Sequence, residues 1–487
     1  MSITFRLALC TLLSSLLFTF LVHAQTLPAA PAPSPLAVSA NSNAQAPASL
    51  STSSSQPEPS PATAIGGVER PAVPSVPAPG PRLTRADAER MALANNPRVS
   101  VSHLLAQAQH QVVRESRSGE FPTLTGSLTA QDANQASRVA SGSLSASRLF
   151  TRAGGSINLS QLITDFGRTT NLVASTRLQE RAQQANELAT QEDVVLVTDQ
   201  AFYNALQAQA LLQVAKQTVN LRQATQSQVN QLTQNKLRST LDLTFANVNL
   251  SQAQLLQLDA QNNADATMAA LDEVLGLDHL VAYSLVDNTK NTPPPPPDEQ
   301  ALLDLAIKQR PDLQSIDLTR LSQEKFSRAQ HDQMLPTLSA LGTVGATPVR
   351  PGQYYVSSWD GAIGANLNIP IFNGFLYSAE AKEAQLRAQA TAQRTRQLRD
   401  VIVRDVQTAW LDANNAFMRL GVTAQLLNQA NQSLGLAQTR YKLGLSSIVE
   451  LNQAQLQQTE AEITNTNAQY QYRLTLAALN FQTGVQP

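Results

Sequence analysis

From Arg168 to Leu275 the chain contains neither glycine nor proline, and from Ile371 to Gln486 it contains no proline. Proline and glycine are the residues that most often end or kink a helix, so runs of this length predict helices of unusual extent. A single helix over Asp165–Lys236 has 72 residues and spans about 108 Å at 1.5 Å per residue, several times the ordinary globular length. Leu241, Val248 and Leu255 recur at heptad spacing, as do Leu427, Leu434 and Tyr441. That spacing predicts narrow coiled-coil seams instead of broad core faces. Composition agrees: 42% of positions are hydrophobic but only 5% are aromatic, which favours long helices packed along seams over a sandwich or an α/β enzyme.

The two long runs belong to an internal duplication. AFYNAL (201–206) aligns with AWLDAN (409–414), and MAALDEVLG (268–276) with LAALNFQTG (476–484), at one offset of 208 residues. Nearer the N-terminus the offset is 214, matching ALANNPRV (92–99) to AIKQRPDL (306–313) and FPTL (121–124) to LPTL (335–338). The six-residue difference falls between Leu124 and Asp165, which predicts a surface loop there. Each repeat reads in the same order: a helix (84–118 and 298–333), a proline (Pro122, Pro336), an alternating run (123–130 and 337–344), a polar loop, a second alternating run (155–163 and 361–369), then the long helices. The alternating runs have the length of bilayer-crossing strands, with Thr, Ser and Gly on one face and Leu, Ile or Val on the other. Tyr354, Tyr355 and Trp359 follow as candidate interfacial aromatics. Four strands per chain leave two open edges, which hydrocarbon does not tolerate, so several chains must share one barrel. Three chains give twelve strands; a hexamer satisfies the same condition.

The remaining segments are linkers and signals. Residues 1–24 read as a removable secretory signal ending Val22-His23-Ala24, with Cys10 inside it. Cys10 follows Leu9 and lies too early for a lipoprotein signal. Residues 25–82 hold half of the 26 prolines and read as a disordered Pro/Ala/Ser-rich segment. Five consecutive prolines within 291–297 read as a stiff linker. The first repeat is therefore 83–290 and the second 298–484. A formal charge of -1 gives no footprint for nucleic acid. His103 and His110 sit seven apart on a predicted helix without metal-site context, and neither GxSxG nor a phosphate-binding loop occurs, so the reading is a non-enzyme with no cofactor and no metal.

The hairpin-to-helix junctions SQLITDFGR (160–168) and IPIFNG (369–374), with the turn motifs STLDLTFANVNLSQA (239–253) and YKLGLSSIVELNQA (441–454), resemble the TolC family of outer-membrane efflux proteins over about residues 83–484. The resemblance implies a mainly α protein with a small β part: a homotrimer with a shared 12-stranded barrel in outer-membrane lipid and a long periplasmic α-barrel of antiparallel coiled coils. It further implies an exit duct that works with a periplasmic adaptor and an inner-membrane pump, of antiporter or ABC type, in efflux or type I secretion. Carried over by position, Asp242 and Glu450 resemble the family's tip acids, and Tyr441 a tyrosine that helps hold the inner coiled coil shut. Ser446 stands where well-known members have an arginine, and Gln453 where a second acid occurs; Arg238 is the substitute partner proposed for the latch. Leu237, Arg238, Gly444, Leu445 and Ser446 are the adaptor-docking candidates. The alternative from another class is a periplasmic or secreted coiled-coil scaffold that bridges partners without transport.

Overall fold

The computed structural model describes residues 81–132, 138–141, 144–148, 152–277, 281, 283–287, 293–346 and 359–485. The expected signal peptide with Cys10, nearly all of the Pro/Ala/Ser-rich segment, His279, Tyr354 and Tyr355 lie outside them.

The duplication is visible in the helices and the longer strands. The first repeat runs β1 (Arg82–Leu83), α1 (Arg85–Asn95), α2 (Pro97–Ser118), β2 (Thr123–Gln131), β3 (Arg138–Ser141), β4 (Leu144–Arg148), β5 (Arg152–Thr164), α3 (Arg168–Gln234), α4 (Thr240–Val274) and β6 (Ser284–Leu285). The second runs α5 (Glu299–Gln309), α6 (Pro311–Asp332), β7 (Thr337–Ala346), β8 (Asp360–Asn368), α7 (Leu376–Lys442) and α8 (Ile448–Thr483). The short strands β1, β3, β4 and β6 have no counterpart among the described residues of the second repeat. The long helices α3 and α7 have 67 residues each, about 100 Å. The single helices expected over 84–118 and 298–333 are each broken in two, at Asn96-Pro97 and Arg310-Pro311. A residue before proline is pushed out of the helical region, and Asn96 (φ -66°, ψ 124°) and Arg310 (φ -60°, ψ 120°) are extended. Both proline rings then start the next helix, where no backbone N–H is needed.

Each long helix has different neighbours along its length. α3 packs against α2 and α6, and also against α4 and α8; α7 packs against α6 and α8. Ser175 and Ser322 exchange hydroxyl and carbonyl bonds between α3 and α6, and Ser315 Oγ donates to the Ala182 carbonyl at 2.8 Å. Along another side of α3, His103 and His110 of α2 contact Glu187 and Glu180 at 2.8 and 2.7 Å. Two equivalent apolar clusters form where the short helices meet the long ones. One joins Ala88, Ala92, Val194, Phe202 and Leu271; the other joins Leu302, Ala306, Ile402, Val406 and Leu479. The linker is tied to this level, because Trp410 Nε1 donates to the Pro296 carbonyl and the Tyr472 hydroxyl to that of Pro293.

One expected seam is placed differently. Leu434 and Tyr441 are buried, but Leu241, Val248 and Leu255 are 59%, 49% and 61% exposed. The buried seam of α4 is instead built from Ala246, Ala253, Ala264 and Leu271. Small residues let α4 lie close to α3, and the leucine stripe is turned away from its own chain. Heptad spacing identifies an apolar stripe without stating which chain covers it.

The strands form a four-stranded antiparallel sheet in the order β2-β5-β7-β8. Register puts Leu124 beside Leu159, Gly126 beside Ile157, Ile157 beside Val344 and Gly342 beside Ile363. One face therefore carries Leu124, Leu128, Ile157, Leu159, Val344, Ile363 and Leu367, and Leu128 and Ile363 are each 95% exposed. The other face carries Ser127, Ser156, Asn158 and Thr343, joined by Ser127 Oγ to Ser156 Oγ at 2.8 Å and Thr343 Oγ1 donating to Asn158 Oδ1 at 2.9 Å. Leu341 departs from the alternation, falling opposite Ser160. Between β2 and β5, where the six-residue difference was expected, β3 and β4 form a separate two-stranded hairpin. The outer edges of β2 and β8 have no neighbouring strand among the described residues. Trp359, immediately before β8, is exposed, and no helix among the described residues is long and apolar enough to cross a membrane.

Candidate functional site at the paired helical turns

The far ends of the two helical hairpins carry the residues singled out from the sequence. Both turns use the same backbone device. After α3, the Leu237 N–H donates to the Leu232 carbonyl at 2.8 Å; after α7, the Leu445 N–H donates to the Arg440 carbonyl at 2.8 Å. Each bond closes a C-terminal cap that requires one left-handed residue. That residue is Lys236 (φ 59°) in the first turn and Gly444 (φ 75°) in the second. Both return helices start alike, Ser239 accepting from the Leu241 N–H and Ser447 from the Glu450 N–H. Asp242 and Glu450 occupy the first turns of α4 and α8, where a carboxylate is favoured by the helix dipole.

No atom lies within 4 Å of a Cβ built on Gly444, so its requirement is conformational and not steric. We expect Lys236→Gly to stabilise the first turn and Gly444→Ala to weaken the second, each by about 1 kcal/mol. Thermal unfolding of the two variants checks this, and a stabilised Gly444→Ala would contradict it.

The two turns touch through Tyr441. Its ring is 2% exposed and packs with Val229, Ala246, Leu434, Ala437, Ile448, Leu451 and Ala454, drawing on both repeats. The Arg238 guanidinium lies 4.5 Å above the ring centre, and its Nη2 donates to the Tyr441 carbonyl at 3.1 Å. The phenol is buried without a hydrogen-bond partner among the described residues. Burial raises its pKa, the Arg238 charge lowers it and Asp242 raises it. The structure thus brings Asp242, Arg238 and Tyr441 to one place, and Arg238 crosses from one turn to the other.

Glu450 is separate from that group. It pairs with Arg440 of the preceding helix at 3.1 Å, with both side chains about half exposed, a geometry worth little in water. Ser446 is half-buried and its hydroxyl has no partner among the described residues. Leu237, Leu443 and Leu445 are 68–69% exposed at the extremity of the turns. Sequence reasoning did not single out Arg440, although a basic residue in the last turn of a helix is a recognisable C-terminal signal. It also passed over Leu443, which takes the helix-capping position before Gly444.

Residues 89–277 and 302–485 match the family model for "Outer membrane efflux protein", one match per repeat. Over 315 residues the chain is 25% identical to the outer membrane protein TolC of Escherichia coli (strain K12). That alignment covers 61% of this chain and 62% of the relative, so it spans less than two thirds of the relative's length. Among solved structures, the outer-membrane channel OprN superposes with a TM-score of 0.73 at 17% identity, covering 82% of this chain and 90% of that one. The Campylobacter jejuni CmeC outer membrane channel gives 0.70 at 18% identity, covering 82% and 85%. At these identities the likeness is one of fold.

Proposed function

Because the chain belongs to the outer membrane efflux protein family, we propose that it is the outer-membrane exit duct of a tripartite efflux pump or a type I secretion system. It conducts substrates passively and performs no catalytic step of its own. The observation that carries this reading is the sheet: four membrane-length strands with an exposed apolar face, a polar reverse face and two open edges. Such a sheet is stable in hydrocarbon only when its edges are paired by other copies. Three protomers joining β8 to the next β2 give a closed 12-stranded barrel with the Ser, Asn and Thr face lining the lumen. The exposed Leu241, Val248 and Leu255 stripe supplies the corresponding seam between protomers below the membrane.

The paired turns form the periplasmic gate in this reading. Asp242 and Glu450, repeated around the axis, place like charges near one another and favour cations at the entrance. Tyr441 holds the second hairpin in the seam. Leu237, Arg238, Gly444, Leu445 and Ser446 form the surface offered to a periplasmic adaptor, which links the duct to an antiporter or ABC-type pump.

Single-channel recording of the mature protein in a planar bilayer tests both parts. A cation-selective current is expected, with cation preference reduced several-fold in Glu450→Ala and Asp242→Ala. Failure of folded protein to conduct would overturn the duct. Unchanged selectivity in both variants would remove the acidic gate.

A further inference from the structure

Above the turns, the junction between the repeats encloses a charge without a counter-charge among the described residues. Arg222 of α3 is 7% exposed and Gln455 of α8 is completely buried. Arg222 Nη1 donates to Gln455 Oε1, and Gln455 Nε2 donates to Thr225 Oγ1 at 3.0 Å. Among the described residues no carboxylate pairs with this guanidinium; burial lowers its pKa and no neighbouring charge raises it. An arginine remains protonated in such a place. Counted along the helices, Arg222 stands about 18 Å and Gln455 about 10 Å above the turns. The Tyr441 cluster lies beside and below them: Leu221, packed against it, and its member Ala454 are the chain neighbours of this pair. The 208-residue offset places Ala430 at the position of Arg222, so the duplication does not require the charge; Ala430 is itself buried.

A buried cation that only a neutral amide satisfies loses hydration that ion pairing does not return. Moving α8 away from α3 restores that hydration. The hydrogen bonds of Gln455 and the apolar cluster below act in the opposite direction. We propose that Arg222 is a built-in bias towards opening, held in check by Gln455, so that the seam between the repeats is poised instead of locked. This rests on the reading of the paired turns as a gate. It differs in sign from a simple latch, in which removing the Arg222–Gln455 contact by any means opens the tip.

The test uses the full trimer in a planar bilayer, with hydrogen exchange over residues 448–455 as a second readout. Gln455→Glu keeps the shape and supplies the missing charge, so open probability is expected to fall about tenfold and exchange to slow. Gln455→Leu leaves the guanidinium without a partner and is expected to raise both. The double change Arg222→Met with Gln455→Leu removes both polar groups and is expected to return open probability to or below that of the wild type. An increase with Gln455→Glu, or a double variant as open as Gln455→Leu, would overturn the proposal, because the buried charge would then not be responsible. If Glu450→Ala changes the current while Gln455→Glu alters neither readout, the bias is refuted and the gate stands. If exchange responds as expected but no tip variant alters the current, the gate itself fails and the bias fails with it as a gating device.

Discussion

Gly345→Val is expected to abolish barrel assembly. Gly345 sits on β7 opposite Ser156 of β5, in the ladder that joins the hairpins of the two repeats. A Cβ at this position would lie 2.6 Å from the Gly155 carbonyl oxygen, 2.7 Å from Ser156 Cβ and 2.9 Å from Ser156 Cα. Most of these atoms are backbone, so relief requires the strands to part. In hydrocarbon there is no water to take up the released N–H and C=O groups, and each costs several kcal/mol. Overpacking alone costs about 1–3 kcal/mol, and the ladder bonds add to it. Trimer recovered from outer membranes should fall to about a tenth or less of the wild-type amount. Gly126→Val on β2 is the matched control, since nothing lies within 4 Å of a Cβ there. Equal assembly of the two variants would show that the close approach at Gly345 is not maintained in the membrane.

Tyr441→Ala is expected to open the tip, and Tyr441→Phe to leave it closed. The side chain is almost completely buried among residues of both repeats. Truncating an aromatic ring in such a place costs about 3–5 kcal/mol, and here it also removes the surface under Arg238. The phenol makes no hydrogen bond among the described residues, so replacing it with hydrogen relieves a buried unpaired group and is expected to be neutral or slightly stabilising. Conductance and thermal unfolding of the two variants distinguish the cases. An open Tyr441→Phe channel would mean that the hydroxyl is engaged by a neighbouring protomer and that this bond, more than packing, holds the gate.

Much of the fold was legible because its signals are local and repeated. The absence of proline gave the long helices, alternation gave the strands, and the shared offset made each half a check on the other. The strand boundaries agree with the alternating runs to within three residues at every end. What escaped was of two kinds. The Asn96 and Arg310 breaks follow from Pro97 and Pro311, a local signal that the single expected helices over 84–118 and 298–333 do not take into account. The exposure of Leu241, Val248 and Leu255 was unreadable for a deeper reason: an apolar stripe has the same sequence signature whichever chain it meets. At the turns, Gly444, Ser239 and Ser447 are residue types that favour helix ends and starts, so their caps have a local cause in the sequence. The Arg238 to Tyr441 contact rests on two side chains 203 residues apart; a partner for Arg238 could be expected from the sequence, but its geometry could not. Arg222 gave no signal at all, since an arginine on a polar helix ordinarily reaches water.

The equal lengths of α3 and α7 have a consequence for how such a chain can change over time. Both are 67 residues, and their return helices are 35 and 36. α3 and α7 both start near the sheet and must end level at the turns, and α4 and α8 must return about half way to a common level, so none of the four can be lengthened alone. Removing seven residues from α3 alone would lift Arg238 by about 10 Å and part it from Tyr441; removing them from α3 and α4 together would still leave the second hairpin hanging below the first. Only the same deletion in all four helices preserves the contact. The distance from membrane to tip is therefore inherited as a single dimension, and once two halves share it neither can drift in length without the other.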